Sequence, residues 1–233
     1  MRRLLFVLLL GALAACAPMA HAAEPLPAPS ISSSPTATVA PTEQTCGEFR
    51  HEVEAALTKL GGYDVTAPDC AAIKQFQQRY GLQPVDGIAG KATNDVAQRL
   101  AASDPTQCDA ASGGALVACV DLTNQTTWLM RGGTVVYGPT VIRSGFAGHL
   151  TPTGTYEVQW RATQSWSVPY EVWLPYWQAF NGDIGFHQTT SYLHEASLGS
   201  HGCINLLPAD ATAYWDTLGE GTTVQVFGHR AGT

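Results

Sequence analysis

Hydrophobic periodicity predicts helices in the first half of the chain. After residue 48, apolar positions recur at helical spacing: Phe49, Val53, Ala56, Leu57 and Leu60. A second helical pattern begins at about Ala71, and a third runs from Lys91 to Leu100. Gly61-Gly62 and Gly81 follow the first two runs, where glycine commonly ends a helix. The pattern predicts three helices within residues 43–103.

From Ala115 onward the pattern favours β-strands. The predicted strands cover residues 115–122, 127–130, 155–160 and 222–227, with a hairpin turn at Gly132-Gly133 and a short helix over 209–218. Residues 104–113 are read as a connector. We therefore expect a mainly β domain, a sandwich or barrel, over residues 114–228, preceded by a small all-α three-helix domain over residues 43–103.

The first 42 residues carry targeting features rather than core. Met1-Arg2-Arg3 followed by the apolar run 4–13 is typical of an export signal, here residues 1–23, and is too short to span a bilayer. Leu13-Ala14-Ala15-Cys16 resembles a lipobox, which would make Cys16 the lipidated residue, whereas Ala20-His21-Ala22 would suit ordinary cleavage. Residues 24–42 are rich in Pro, Ser, Thr and Ala, which predicts a flexible linker. We expect export to the cell envelope, with a membrane anchor only through Cys16.

Composition narrows the functional classes. The 233 residues are 45% hydrophobic and carry a formal net charge of −7, with lysine only at Lys59, Lys74 and Lys91. A chain with this balance can bury a core, and it lacks the clustered cations that phosphate backbones require. Nucleic-acid binding is therefore not expected.

Cysteine usage indicates one reactive thiol. If Cys16 is lipidated or removed, five cysteines remain, and an odd cysteine in an exported protein is a candidate nucleophile. The other four allow three pairings. We favour Cys46–Cys70 and Cys108–Cys119, because each bond then closes within one domain. The alternative is four buried free thiols.

The segment 186–206, FHQTTSYLHEASLGSHGCINL, concentrates the chemistry. A histidine can take the proton of a thiol, and a thiolate is the attacking form of cysteine. Glycine next to the nucleophile frees backbone N–H groups to hold an oxyanion. Cys203 is therefore the candidate nucleophile, with Gly202 and Cys203 as candidate oxyanion amides.

These residues resemble the L,D-transpeptidase (YkuD-type) family. Its signature, a histidine, a spacer and then Ser/Thr-His-Gly-Cys-hydrophobic-Asn, reads here as His187 followed by residues 200–205. Further matches are Thr151-Pro152-Thr153-Gly154, residues 175–177 and residues 185–187, so the likeness covers about residues 115–228. The spacer of twelve residues is shorter than is usual in the family, which affects the shape of the lid over the site.

The resemblance implies a fold, an activity and residue roles. The fold is a β-sandwich-like domain, and the reaction is formation of 3→3 peptidoglycan crosslinks through a thioester on tetrapeptide stems. Cys203 would be the nucleophile and His187 the general base and acid, oriented by the backbone carbonyl of Gln188. His201 would shape the pocket and support the oxyanion site, while Ser200 and Asn205 hold the loop. Carbapenem β-lactams are expected inhibitors; no cofactor or metal is implied.

A second resemblance concerns the helical domain. Residues 73–100 contain a Phe-Gln helix, a Val-Asp-Gly turn and a Lys-x-Thr helix start, similar to the peptidoglycan-binding domain found beside cell-wall hydrolases. This implies binding to the cell wall, including its stem peptides and glycan. A helical spacer without a ligand is the alternative.

Other functions remain open at this level. The same site could use water as acceptor, as an L,D-carboxypeptidase, or a protein amine, attaching that protein to the wall. A zinc site built from His187, His194, His201 and Cys203 lacks a standard spacing. A non-catalytic peptidoglycan-binding protein is the last alternative. His194 is interpreted as a surface or lid residue and Glu195 as solvated; groove and core roles both stay open for the aromatic residues Trp160, Trp166, Tyr170, Trp173, Tyr176 and Trp177.

Overall fold

Three helices form the first folded part of the chain. The computed structural model describes residues 45–67, 69–195 and 198–233, so the predicted signal, Cys16 and the linker 24–42 lie outside the described residues. The helices are α1 (Arg50–Leu60), α2 (Ala71–Tyr80) and α3 (Lys91–Ala102). Gly81 ends α2 in the left-handed conformation, with φ of 65°.

A buried glutamine explains the helix-and-turn motif of this part. The Gln77 side chain accepts hydrogen bonds from the backbone N–H groups of Asp86 and Gly87, and its amide donates to the Ile88 carbonyl. These bonds fix the turn between α2 and α3. The Cys46–Cys70 disulfide ties the segment before α1 to the start of α2.

The rest of the chain forms two sheets and one further helix. The strands are β1 (Leu116–Asp121), β2 (Thr126–Arg131), β3 (Thr134–Val141), β4 (Gly154–Glu157), β5 (Trp160–Ser167), β6 (Val172–Asn181), β7 (Ile184–Gln188), β8 (Ile204–Leu206) and β9 (Thr223–Phe227), with α4 (Pro208–Thr217) before β9. One sheet has the order β3-β2-β1-β9-β4 and the other β5-β6-β7-β8. The expected mainly β domain preceded by three helices is therefore confirmed.

The two sheets enclose a common core. Ala118, Val120 and Leu129 of the first sheet and Phe186 and Ile204 of the second belong to one buried cluster. The predicted strand over 155–160 is two strands instead, β4 and β5, which lie in different sheets. The connector 104–113 contains two short 3₁₀ helices, Pro105–Gln107 and Asp109–Gly113, and the Cys108–Cys119 disulfide fixes it to β1.

The helices and the β domain pack together. The described residues from 45 onward belong to one compact unit, and Val141, Leu193 and Leu207 of the β domain are buried in the same cluster as the helical core. Arg99 of α3 donates hydrogen bonds to the carbonyls of Asn124 (2.9 Å) and Gln125 (2.7 Å). The helical part is thus fixed to the β domain by both apolar packing and hydrogen bonds.

A buried carboxylate lies at this junction. Asp210, at the start of α4, is fully buried and accepts hydrogen bonds from Arg79 of α2 (2.7 Å), Tyr137 (2.6 Å) and Thr140 (2.6 Å). Burial and the neighbouring Asp210 raise the pKa of Tyr137, since a phenolate there would be both desolvated and repelled. All three groups donate to Asp210, and the Arg79 guanidinium forms an ion pair with it.

We expect Asp210→Asn to destabilise the protein by about 3 kcal/mol or more. The substitution removes the negative charge that pairs with Arg79. It also replaces one acceptor oxygen by an amide N–H group, which cannot accept the hydrogen bonds that its neighbours donate. Asp95→Asn is the matched control: Asp95 is mostly exposed and pairs with Arg99 within α3 at 3.4 Å, so about 0.5 kcal/mol or less is expected. Urea unfolding measures both. Equal midpoints for the two variants would contradict the prediction.

No helix among the described residues is long and apolar enough to cross a membrane.

Candidate active site

Two neighbouring parallel strands bring the signature residues together. In the register of β7 and β8, His187 lies opposite Asn205 and Phe186 opposite Ile204. Cys203 comes directly before β8, so continuation of the register places it opposite Gly185. Side chains alternate along a strand, and Cys203 and Asn205 therefore share one face with His187. Phe186 and Ile204 point the other way, into the core between the sheets.

The backbone before Cys203 makes a turn that requires glycine. Gly202 has φ of 113°, and a Cβ atom there would lie 3.0 Å from the Ile184 side chain. The Gly202 carbonyl accepts a hydrogen bond from the Thr151 hydroxyl (2.6 Å), and Ser200 Oγ donates to the Cys203 carbonyl. Thr151 of the Thr-Pro-Thr-Gly motif and Ser200 are therefore both hydrogen-bonded to the backbone of the nucleophile turn.

Cys203 is a free and partly exposed thiol. Its Sγ lies 3.6 Å from the Asp183 carbonyl oxygen, to which the thiol donates a weak hydrogen bond. Burial raises the pKa of the Cys203 thiol to about 11, and the nearby Asp183 charge adds to the rise, against a smaller lowering by the Gly185 backbone. The resting side chain is therefore a neutral thiol at physiological pH.

His187 is held by hydrogen bonds on both ring nitrogens. Nδ1 lies 2.7 Å from the Gln188 carbonyl, the main-chain acceptor expected from the family resemblance, and Nε2 lies 2.8 Å from Nδ2 of Asn205. Arg143 Nε donates to Asn205 Oδ1 at 3.0 Å. Because arginine only donates, Asn205 must turn its amide N–H toward the histidine. Nε2 is then the unprotonated acceptor, and Nδ1 carries the proton.

Burial acts on the pKa of both members of the pair. His187 is buried, which lowers its pKa to about 4; the Gln188 carbonyl opposes this shift and the Arg143 charge adds to it. Burial disfavours the charged form of each group, so both shifts favour a neutral thiol and a neutral imidazole in the resting enzyme. Proton transfer to His187 must therefore accompany sulfur attack.

Alkylation of the resting enzyme by iodoacetamide should report this state. Only the thiolate reacts, so the rate at Cys203 should rise with pH through the neutral range and level off only above the thiol pKa of about 11. A thiolate–imidazolium pair would instead react fast and without pH dependence from about pH 5 upward. Mass spectrometry of the peptide that contains Cys203 gives the rate at each pH, and a flat profile would contradict the neutral pair.

Arg143 is a site residue that the sequence analysis missed. It is buried, and besides Asn205 its guanidinium donates to the Tyr192 carbonyl (3.0 Å) and the Ser191 hydroxyl (2.9 Å). Its backbone also exchanges hydrogen bonds with that of Asn205. Arg143 thus connects the segment after β7 to the amide that contacts His187. It stands 60 residues before the signature cysteine, so motif spacing alone could not reveal it.

We expect Arg143→Met to slow acylation of Cys203 about tenfold, because Asn205 loses the bond that sets its amide orientation. The pKa of His187 should rise as well, since the Arg143 charge lowers it. The acid limb of the rate profile should therefore move to higher pH. Arg143→Lys keeps the positive charge but loses the planar set of guanidinium N–H donors. This variant should therefore slow acylation while leaving the acid limb of the rate profile at its wild-type pH. An unchanged acid limb in Arg143→Met would contradict this role.

The oxyanion site is only partly as expected. The Gly202 N–H donates to Ser200 Oγ at 3.1 Å in the resting structure, so this amide must be released before it can hold an oxyanion. His201 is exposed, and its ring packs against Tyr170 (4.3 Å between centroids), His149 (4.5 Å) and Phe146 (5.0 Å). His201 therefore forms the rim of the site together with the tip of the β5–β6 hairpin.

The remaining candidates lie apart from the Cys203 thiol. His194 Nε2 lies 2.6 Å from the Tyr80 carbonyl, which places this histidine against the helical part rather than at the surface. Glu195 is exposed. Among the residues that the structure describes, no three His, Cys, Asp or Glu side chains are close enough together to hold a metal ion. Tyr176 packs against the core, and Trp177 is buried with its ring 6.0 Å from that of His187.

Comparison with known proteins agrees with this architecture. Residues 116–226 match the model of the L,D-transpeptidase catalytic domain, and residues 70–96 match that of a putative peptidoglycan binding domain. An L,D-transpeptidase from Stackebrandtia nassauensis is 46% identical, with a TM-score of 0.76, over 80% of this chain and 94% of its own.

More distant structures share only part of the chain. An L,D-transpeptidase mutant from Enterococcus faecium is 28% identical (TM-score 0.43, covering 48% of this chain and 50% of its own). An L,D-transpeptidase from Mycobacterium tuberculosis is 22% identical (TM-score 0.42, 49% and 62%). No curated protein sequence matches significantly. Since it is 46% identical to the Stackebrandtia protein over 80% of its own length, and the signature residues lie on β7, on β8 and directly before β8, the chain belongs to the L,D-transpeptidase family, with a peptidoglycan-binding-type domain upstream of the catalytic domain.

Proposed function

We propose that the protein is a cysteine-dependent L,D-transpeptidase that forms 3→3 crosslinks between peptidoglycan stems. The observation that carries this proposal is the shared face of β7 and β8, which presents a free thiol, an unprotonated histidine nitrogen and a glycine turn within one site. The donor substrate would be a tetrapeptide stem and the acceptor an amine on the third residue of a neighbouring stem.

The first half-reaction would transfer an acyl group to sulfur. As Sγ of Cys203 leaves the Asp183 carbonyl and attacks the carbonyl carbon of the third stem residue, its proton passes to Nε2 of His187. The Asn205 amide must yield its place on Nε2 at this step. The imidazolium then returns the proton to the departing amine of D-Ala, and a thioester remains on Cys203.

The second half-reaction would reverse these roles. The acceptor amine attacks the thioester carbonyl, gives a proton to His187, and the thiol leaves with that proton. The Gln188 carbonyl stabilises the transient imidazolium through Nδ1–H, because a hydrogen bond to the charged form favours it. The Cys203 amide, together with the Gly202 amide once it is released from Ser200, would hold the oxyanion in both steps.

Product analysis tests the proposal and separates the acceptors. Purified enzyme is incubated with a disaccharide tetrapeptide, and the products are identified by liquid chromatography and mass spectrometry. A crosslinked dimer that has lost one D-Ala supports transpeptidation. A disaccharide tripeptide alone would show that water is the acceptor, and so an L,D-carboxypeptidase. Unchanged substrate, with a folded enzyme, would overturn the catalytic proposal and favour a binding protein.

The location and partners of the enzyme follow from the same proposal. Peptidoglycan lies outside the cytoplasmic membrane, so the enzyme would be exported, and a lipid on Cys16 would attach it to the membrane. The helical domain would bind the wall. Carbapenems would act as inhibitors by acylating Cys203 in place of the stem. Fractionation of cells that express the wild type and Cys16→Ser tests the anchor: only a lipoprotein would move from the membrane to the soluble fraction.

A further inference from the structure

Four tryptophans lie on the same face of the second sheet as the catalytic residues. The side chains of Trp160 and Trp166 point to the same face of β5, because they are six residues apart. Trp166 pairs with Trp173 of β6, and Trp160 pairs with Ala179. Trp173 and Trp177 of β6 therefore lie on that face as well. The rings of Trp160 and Trp177 are 5.9 Å apart, and those of Trp166 and Trp173 are 5.3 Å apart. We call this surface the tryptophan face.

The tryptophan face is exposed and continuous with the catalytic site. Trp160, Trp166 and Trp173 are 45%, 46% and 53% exposed, whereas Trp177 is buried between Trp160 and His187. Large aromatic rings exposed together on a sheet face are unusual unless they contact a ligand or partner. The pattern continues across the strands, because Ala179 lies opposite Gly185 and Gly185 lies beside Cys203. Trp160 and Cys203 therefore stand in one row, three strands apart.

The chemistry of this surface favours sugar rings. The residues between the tryptophans on this face, Ala162, Gln164 and Pro175, are uncharged, and the chain as a whole is acidic. An anionic membrane would need lysine and arginine here. A pyranose ring instead offers C–H groups that carry partial positive charge, which the negative face of an indole attracts.

The distances agree with a glycan that is attached to the reacting stem. Three strand spacings put Trp160 about 14 Å from Cys203 along the sheet. If the proposed function is correct and the carbonyl of the third stem residue lies at Cys203, the stem reaches back about 10 Å to its first residue. The sugar that bears the stem would then lie next to Trp160. Trp166 and Trp173 follow on the same hairpin, which curves back toward the site, since the ring of Tyr170 at its tip lies 4.3 Å from that of His201. They would hold more of the same glycan strand over the site.

We propose that the tryptophan face binds the glycan strand of peptidoglycan by stacking N-acetylated pyranose rings on Trp160, Trp166 and Trp173. The inference rests on the proposed function for its substrate, and it adds a sugar subsite outside the catalytic pair. It assigns the β5–β6 hairpin the task of positioning the strand whose stem is to be cut.

Binding of an N-acetylglucosamine tetramer to the full chain tests the proposal directly. Titration followed by NMR should show the tetramer perturbing tryptophan side-chain signals. The double variant Trp166→Ala/Trp173→Ala should weaken the affinity about tenfold or more, and Trp166→Phe/Trp173→Phe should retain part of it. Val136→Ala, an exposed apolar residue on β3 of the other sheet, is the matched control and should bind like the wild type. The helical domain is the same in all of these variants.

The outcomes separate this inference from the proposed function. A carbapenem contains no glycan, so it should acylate the wild type and the double variant at the same rate. If the double variant keeps this acylation but no longer crosslinks intact sacculi, the result supports the glycan subsite. Equal tetramer affinity in wild type and double variant would overturn it. The inference would also be overturned if the wild type self-associated or bound phosphatidylglycerol vesicles, and the double variant lost that property while its affinity for the tetramer stayed unchanged. Failure of acylation in the wild type would count against the proposed function alone.

Discussion

Cys203→Ala should abolish the covalent reaction with a carbapenem. Wild-type protein should gain one adduct by intact-mass spectrometry, and digestion should place it on the peptide that contains Cys203. The other cysteines of the described residues are in the Cys46–Cys70 and Cys108–Cys119 disulfides and cannot compete. The variant lacks the only group at the site that can form a thioester, so no slow residual reaction is expected.

The variant also tests the fold around the nucleophile. Cys203 packs against Gly185 and Asp183 without carrying a large side chain, so Cys203→Ala should unfold at nearly the same urea concentration as the wild type. An adduct that persists in a folded Cys203→Ala protein, or crosslinking by it, would overturn the assignment.

His187→Ala should slow acylation by about 10² to 10⁴-fold, the usual contribution of a positioned general base. The loss should be large because the resting thiol is neutral and has a pKa of about 11. Without His187, only the small thiolate fraction can attack at neutral pH. The remaining rate should therefore increase steeply with pH, whereas the wild-type rate should be constant above the pKa of His187, about 4.

His194→Ala is the matched control for this prediction. Its ring lies against Tyr80 of α2, so the variant should acylate at nearly the wild-type rate while losing some stability. Wild-type turnover in His187→Ala would instead assign the base to another residue, and His201→Ala would be the next variant to measure.

Local patterns were sufficient to predict most of the elements. The helical spacing of Phe49 to Leu60 and the glycine after α2 correspond to observed helices, and the Gly132-Gly133 turn joins β2 and β3. The β5–β6 hairpin was not predicted. Its alternating positions are aromatic and small or polar, and both faces are partly exposed, so the usual contrast between a buried and a solvated face is missing.

The sequence allowed prediction of those site residues that lie in the single segment 186–206. The roles of Cys203, His187 and the Gln188 carbonyl were expected from the motif, and the geometry is compatible with them. Arg143 and Asp183 reach the site only through strand pairing and loop packing. The pKa shifts of the catalytic pair depend on burial, a property of the folded chain that the motif does not contain.

The core shared by the helices and the β domain affects how the enzyme could use a second binding site. A wall-binding domain that is joined to its enzyme by a flexible linker keeps the catalytic domain near the wall. The linker length then sets how far from the binding point the catalytic domain can find substrate. Here Val141, Leu193 and Leu207 bury their side chains among the helices, so the helical domain cannot be deleted without exposing them, and it has no freedom to search. Avidity would then depend on orientation: only a strand whose binding point and stem match the fixed separation of the two domains could occupy both sites at once.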